Sequence, residues 1–471
     1  MGQEIEKTEF APEDFALFHR HLQVETEMLW ELERQGGLAS SPPVAGLELE
    51  AWLVDQALRP APINDRYLAR LNDPLACPEL ARFNIELNVV PQPLRGDALS
   101  RLHRDLAELW QRAETIADEL GARLLMIGIL PTLQESDLSL ANMSPLNRYR
   151  ALNEQVLKLR GSPLHLEITG HEHLECCHDD VMLEAGTTSF QLHLQAPLDQ
   201  AVALYNASLL ASAATVAAGA NSPYLFGKDL WAETRIPLFE QAVEIGGVGS
   251  AGSGPLKRVG FGTGYARRYL SEVFRENREH FPVLLPIVFQ EPPERFAHLR
   301  LHNGTIWRWN RPLIGFDKDG VPHFRIEHRV IPSGPTLIDM IANAALYYGL
   351  TWNLSHEPIP IPFTQARDNF YQAARHGLDA HVVWTRERRW RLRHLLVDEF
   401  LPRARKGLEQ LGAGGEGSFY LDLILERILA GQTGSQWQRR YIAAHGRDFV
   451  AMTRAYLAHQ RQGQPVHTWK I

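Results

Sequence analysis

The sequence predicts an α+β fold: a mostly antiparallel sheet with helices packed on its apolar face, followed by a helical C-terminal part. Three observations carry that prediction. Four short segments, Gly46–Glu50, Asn84–Asn88, Ser189–Gln195 and Arg325–Arg329, alternate apolar with polar residues, as strands with one buried face do. None of them is the continuous apolar run of a strand covered on both sides, which argues against a doubly wound parallel sheet. From about residue 364 to 465 the pattern is mostly helical, broken by a loop at Gly412-Ala413-Gly414-Gly415.

The elements follow in chain order. Residues 11–36 read as a helix, with Phe15, Phe18, His19, Leu22 and Leu29 on one face. The break Ser41-Pro42-Pro43 launches the first strand, and Pro60, Pro62 and Asn72-Asp73-Pro74 mark a loop before the second, which stops at Pro91-Gln92-Pro93. Leu102, Leu106, Leu109, Ala113 and Ile116 recur at helical spacing between Leu99 and Leu120, and Gly121 stands where a C-cap belongs. Leu124–Leu130 is expected as a buried strand and Asn147–Leu159 as a helix. An Ala-rich helix is expected over 199–219, opened by Asp199 as N-cap and closed by Gly219-Ala220-Asn221-Ser222-Pro223. The glycine-rich run 246–264 reads as a lid, a phosphate cradle or a plain loop; it lacks the spacing of a P-loop or dinucleotide fingerprint. His298–His302 and Trp307–Arg311 read as two strands around an Asn303-Gly304 turn, and 336–355 as a helix. This gives a catalytic unit over 1–363 and a helical region over 364–471 packed on the same domain.

Composition narrows the function classes. The 471 residues are 45% hydrophobic and 22% charged, as in an ordinary soluble protein. A net charge of −8 leaves no domain-wide basic balance for a nucleic-acid partner. The arginine run Arg386–Arg393 is interleaved with acid and apolar residues and is expected to be a solvated helix face. No signal layout or run of eighteen apolar residues is present, so neither a membrane partner nor a location other than the cytoplasm is expected. Three cysteines, Cys77, Cys176 and Cys177, make no disulfide framework, in keeping with a reducing compartment.

The polar halves of the four strands carry the chemistry. Residues two apart point the same way, so Glu48 joins Glu50, Glu86 lies between Asn84 and Asn88, Gln191 joins His193, and Glu327 lies between Arg325 and Arg329. Four carboxylates on one patch repel and raise one another's pKa unless cations neutralise them, and Mg²⁺ is the usual counter-charge for oxygen ligands. The wet face of an antiparallel sheet alternates similarly, but this one holds Glu, His, Gln, Asn and Arg without Lys or Thr, which favours a metal platform. His171-Glu172-His173 and Cys176-Cys177-His178-Asp179-Asp180 contain zinc-type donors in an insertion before the Gln191 strand. They fit no standard zinc spacing, and a polar loop is expected there. Trp307 and Trp309 suit either stacking on a base or substrate, or core packing.

Gly46–Glu50, Asn84–Leu87, Asn147-Arg148-Tyr149, Ser189–His193, Ala220–Pro223 and Arg325–Arg329 occur in an order that resembles the glutamate–cysteine ligase type 2 family and related carboxylate–amine ligases. The resemblance runs from about residue 44 to 350 and is looser in the tail. It implies an ATP-dependent ligase on a glutamine-synthetase-like fold, whose curved sheet holds Mg²⁺, or Mn²⁺, and ATP on a polar concave face. By that likeness Glu48, Glu50, Glu79, Glu86, His193 and Glu327 match metal-binding positions, while Gln191 and His193 fall where nucleotide contacts are made. Arg329 matches a phosphate-facing arginine, and Arg148 and Arg235 are candidates for phosphate or substrate carboxylate. Glu50, Arg329 and Arg235 form the expected catalytic set. The residue types agree: ATP converts a carboxylate to an acyl phosphate that an amine attacks, and the transfer needs charge neutralisation and positioning. Small carboxylates and amines, amino acids among them, are the implied substrates, and a homo-oligomer is compatible with the pattern. A phosphotransferase of the same fold acting on a guanidino or carboxylate group, a metal-dependent hydrolase and a non-catalytic nucleotide binder are the alternatives.

Overall fold

The four alternating segments become neighbours in one sheet in a computed structural model that describes residues 4–245, 257–385 and 388–471. Its strands are β1 (Val44–Val54), β2 (Ala76–Pro78), β3 (Asn84–Asn88), β4 (Phe190–Ala196), β5 (Asn310–Phe316) and β6 (Pro322–His328), in the spatial order β5-β6-β4-β1-β3-β2. Two short strands, Gln92–Pro93 and Arg123–Leu125, also pair with β1, and every pairing is antiparallel. The register sets Glu48 opposite both Gln191 and Asn88, Glu50 opposite Glu86, and His193 between Gly46 and Glu327, with Arg311 beyond. A slip of one residue would turn every one of these side chains into the core, so the apolar face fixes the polar one.

That apolar face is Leu47, Leu49, Ile85, Leu87, Phe190, Leu192, Leu194, Phe324 and Ile326, all buried. Helices Ala98–Glu119, Ala201–Gly219 and Leu337–Ser355 pack against the sheet. Tyr348 of the last places its hydroxyl 3.0 Å from the Gly46 carbonyl oxygen and 3.2 Å from that of His193, holding β1 and β4 together from behind. Leu198–Gly219 is long and apolar enough to cross a membrane, yet 89% of its apolar window is buried in the protein, as a core helix requires.

The C-terminal helices continue this layer. Leu401–Gln410 crosses Leu337–Ser355 so closely that a Cβ at Gly407 would lie 1.9 Å from the Gly349 carbonyl oxygen, a crossing only glycine permits. Arg427, on helix Gly414–Ala430, is 1% exposed and pairs with Asp339 at 2.8 Å while donating to Asn343 and to the Ala218 carbonyl.

Several expected elements differ. Of the expected strand Leu124–Leu130, only Leu124 and Leu125 pair in the sheet, within the short strand Arg123–Leu125. Beyond it the backbone is buried but bonds to side chains and loops, Ile127 accepting from Trp52 and Gly128 from the Thr188 N–H. The Ala-rich helix starts at Ala201 after a 3-10 turn, and Asp199 faces Ser40 instead of capping it. His298–His302 lies in a helix, Ala297–Gly304, because its buried positions His298, Leu299, His302 and Asn303 follow a helical period that so short a segment shares with alternation. The expected polar loop around His171–Asp180 is a hairpin of Leu164–Thr169 and His173–His178. The arginine run is also strand, Arg388–Arg391 pairing with His381–Trp384. Of the glycine-rich run, 246–256 lies outside the described residues, while Val259–Gly260 pairs with Trp307–Arg308.

Candidate active site

Two groups of ligand-type side chains form on the polar face. In the first, Glu48, His193 and Glu327 bring donor atoms within 4.8 Å of one another, with His193 Nε2 2.8 Å from Glu48 Oε1. In the second, Glu50, Glu79 and Glu86 do the same. Glu79 comes from the segment just after β2, which pairs with β3 and so brings it beside Glu86. Gln191 links the groups: its amide donates to Glu50 at 2.8 Å and its oxygen accepts from Arg329. Glu50 also accepts from the Ser189 N–H, and Glu86 from the Asn88 side chain at 2.9 Å.

The groups differ in charge balance. Glu327 takes three N–H bonds, from Arg311 Nε at 2.8 Å, Arg311 Nη2 at 3.0 Å and Arg329 Nη1 at 3.0 Å. Burial favours its neutral form, but the two guanidiniums outweigh burial and hold its carboxyl well below the ordinary value. Burial works against Glu48 too, and the His193 imidazole prevails, bringing it down to about 2. In the second group burial wins. Glu50 is raised by burial and by Glu86 against the pull of Arg329, and Glu79 is raised well above its ordinary value by burial, Glu86 and Glu50. Three hard oxygen donors whose charge the chain leaves under-compensated fit a divalent cation such as Mg²⁺. Asn84 Oδ1 and Nδ2 and Glu184 Oε2, beside Glu50, are buried without hydrogen-bond partners among the described residues, as groups facing a bound ligand would be.

Above the groups opens a pocket of about 300 Å³. Glu48, Glu50, Glu79, Glu86, Gln191, Glu327 and Arg329 line it, as does Arg148, whose guanidinium bonds to the Tyr149 hydroxyl at 2.9 Å. His193 lies beneath, within the first group. Arg235 borders a smaller cleft shared with Glu50, Glu79 and Arg329. Its guanidinium pairs with Glu233 at 3.2 Å and donates to the backbone carbonyls of Arg329 and Val330, so it braces the end of β6. Apolar side chains line the larger pocket too, Phe274, Leu285, Leu301, Leu313, Ile314 and Trp307, interspersed with the polar Arg300, Asn303 and Arg325. Trp309 is instead core, fully buried with its N–H on Glu240 at 2.8 Å.

Sequence reasoning did not assign Arg311, Arg300 or Glu184 to this site, and the pocket contains all three. Arg311 had a signal: Asp317-Lys318-Asp319-Gly320 between two alternating runs marks a hairpin, and counting back across it sets Arg311 against Glu327. Glu184 sits on the 3-10 turn Met182–Gly186, which no periodicity announces. Burial and Glu50 push its carboxyl up to about 7, against Arg329.

A sequence profile of the family described as glutamate-cysteine ligase family 2 (GCS2) matches residues 44–454. No curated protein compared with this chain matches it significantly. Among solved structures, the fold is similar to that of glutamate–cysteine ligase from Francisella tularensis in complex with AMP. The TM-score is 0.54 and the identity 12%, covering 90% of this chain and 90% of that one. It is also similar to a bifunctional glutathione synthetase from Pasteurella multocida, with a TM-score of 0.50 and 14% identity over 92% of this chain and 54% of that one. At such identities the likeness is one of fold, a curved antiparallel sheet with a helical C-terminal part.

Proposed function

This chain belongs to glutamate–cysteine ligase family 2, a family of ATP-dependent carboxylate–amine ligases, and from that premise we propose that its pocket joins an amino-acid carboxylate, glutamate first, to an amine such as that of cysteine. One observation carries the reading: under-compensated carboxylates and the Arg329 guanidinium line one pocket together with apolar side chains. The apolar side chains, Trp307 among them, suit an adenine ring, and the carboxylates with a bound cation and Arg329 suit the triphosphate.

In this reading Glu50, Glu79 and Glu86 would hold Mg²⁺, with Glu48, His193 and Glu327 as a second candidate group; a cation bound there would supply charge neutralisation for phosphate oxygens. Arg329 is fixed by Glu327 and Gln191 on one side and braced through its backbone by Arg235, so its charge is pre-positioned beside the transferred phosphoryl group. Arg148 and Arg300, at the rim, present the planar forks that pair with a substrate carboxylate. Once the acyl phosphate has formed, an amine must reach its carbonyl carbon before water does, which apolar side chains such as Phe274, Leu285 and Leu301 favour by limiting water. The three free thiols suit a reducing compartment, the cytoplasm.

The test is a screen of carboxylic acids against amines with MgATP, reading ADP and the amide product. ADP release that needs both partners supports the ligase, and Glu50→Gln should remove it. ADP formed at full rate without amine would point to a phosphotransferase instead, and turnover without ATP to a hydrolase.

A further inference from the structure

The zinc-type donors singled out in the sequence are sorted by the hairpin that carries them. Cys176 and His178 are two residues apart on strand His173–His178, on the side of the buried Leu174, while Cys177 points the other way and is exposed. Facing them is Glu135, on the 3-10 turn Glu135–Asp137, far earlier in the chain. Donor atoms of Glu135, Cys176 and His178 all lie within 4.8 Å of one another. His178 is only 8% exposed, and its Nε2 has no hydrogen-bond partner among the described residues. That nitrogen stands 3.4 Å from Glu135 Oε1. Such a separation is long for a hydrogen bond, but nitrogen and oxygen ligands about 2.0–2.1 Å from a tetrahedral zinc stand about 3.4 Å apart.

We propose that Glu135, Cys176 and His178 form a site for one thiophilic divalent cation of the zinc type, separate from the carboxylate groups of the pocket. None of the three lines that pocket. Sulfur with imidazole selects zinc-type ions over Mg²⁺, whereas the pocket offers mainly oxygen. Binding breaks the Cys176 S–H bond, releases the proton to solvent and forms a metal–thiolate bond. Glu135 is half exposed, which leaves an approach path and a fourth position for water. A cation here fastens the hairpin to the Glu135–Asp137 turn just before Met182–Gly186, the turn that carries Glu184 into the pocket. Its role is positional, and it stands whether or not the substrate assignment above holds.

The test uses the full chain, stripped with a chelator and kept in excess Mg²⁺ to saturate the pocket carboxylates. Zn²⁺ retained after desalting is counted, and Co²⁺ serves as the spectroscopic probe. The expected result is one retained equivalent of Zn²⁺ and a thiolate-to-Co²⁺ charge-transfer band. Cys176→Ser should lose both, and Glu135→Gln, at an exposed position that does not threaten folding, should weaken retention at least about tenfold. Cys177→Ser should keep both. A wild type that retains no Zn²⁺, a Cys176→Ser protein with the wild-type stoichiometry and band, or loss of the band in Cys177→Ser would overturn the site.

Discussion

Replacing Glu79 with Gln separates a cation site from a merely crowded patch. Burial, Glu86 and Glu50 hold the Glu79 carboxyl well above its ordinary value, which favours its neutral form when no cation is bound. The amide is neutral and of the same shape, so the cation-free variant should melt no more than about 1 °C below wild type. With Mg²⁺ the two proteins part. Ionised carboxylates at the 4.8 Å limit of this group repel by roughly 3.5 kcal/mol per pair at an effective dielectric of about 20, and a divalent ion among them reverses the sign. At Mg²⁺ one hundred times its Kd, binding adds about 2.7 kcal/mol to wild-type stability. Unfolding entropy of about 2.1 cal/mol/K per residue over 471 residues is about 1 kcal/mol/K, so the melting temperature rises by roughly 3 °C. Glu79→Gln should reduce that rise to under about 1 °C at the same Mg²⁺ and slow ADP formation by about 10²–10³. Scanning fluorimetry with and without Mg²⁺ at matched ionic strength, run beside an ADP assay, reads both. A variant with the full Mg²⁺ shift and wild-type turnover would refute the assignment, and one that melts far below wild type without Mg²⁺ would show that the carboxylate holds the fold.

Arg311→Lys keeps a positive charge beside Glu327 but loses the fork that reaches both carboxylate oxygens; kcat/KM should fall about 10- to 100-fold with an unchanged circular dichroism spectrum, and wild-type kinetics would show the fork to be dispensable. Stability should also depend on pH through Glu184, whose folded carboxyl is raised from 4.5 to about 7. The folded state holds the extra proton in that window, so this contribution is fully present below about pH 4.5 and is lost as pH rises through about 7, with a slope of at most about 1.4 kcal/mol per unit. Urea midpoints in EDTA should fall across that window more steeply in wild type than in Glu184→Gln, and parallel curves would count against a raised Glu184.

The sheet was legible because each of its core strands states its own buried face locally. Leu47 and Leu49, Ile85 and Leu87, and Phe190 and Leu192 each show a period of two within five residues, and all six are buried as that period requires. Spatial order was not legible, because β6 lies between β5 and β4 through pairings far apart in the chain. Errors fell on segments too short to separate two periods, such as Ala297–Gly304, or on strands without a core face of their own, such as Arg388–Arg391. Trp307 and Trp309 show the same limit: two apart, they would share a face on one continuous strand, but the strand is interrupted at Trp309, so Trp307 lines the pocket and Trp309 joins the core.

Within the site, alternation shows which side of the sheet a glutamate takes but not the charge it meets there. Glu48, Glu50, Glu86 and Glu327 look equivalent in sequence, each preceded by an apolar residue. The structure gives Glu327 three N–H bonds from arginines and Glu48 an imidazole, so burial still leaves both carboxyls below their ordinary value. Burial raises Glu50 and Glu79 instead, helped by the neighbouring Glu86, and Arg329, which opposes the shift at Glu50, is shared with Glu327. Demand for an added cation therefore concentrates on the second group, and the first is largely balanced by the chain itself. It follows that Mg²⁺ dependence should respond more strongly to Glu79 and Glu50 than to Glu48, although the strand pattern alone ranks Glu48 with them and gives Glu79 no place.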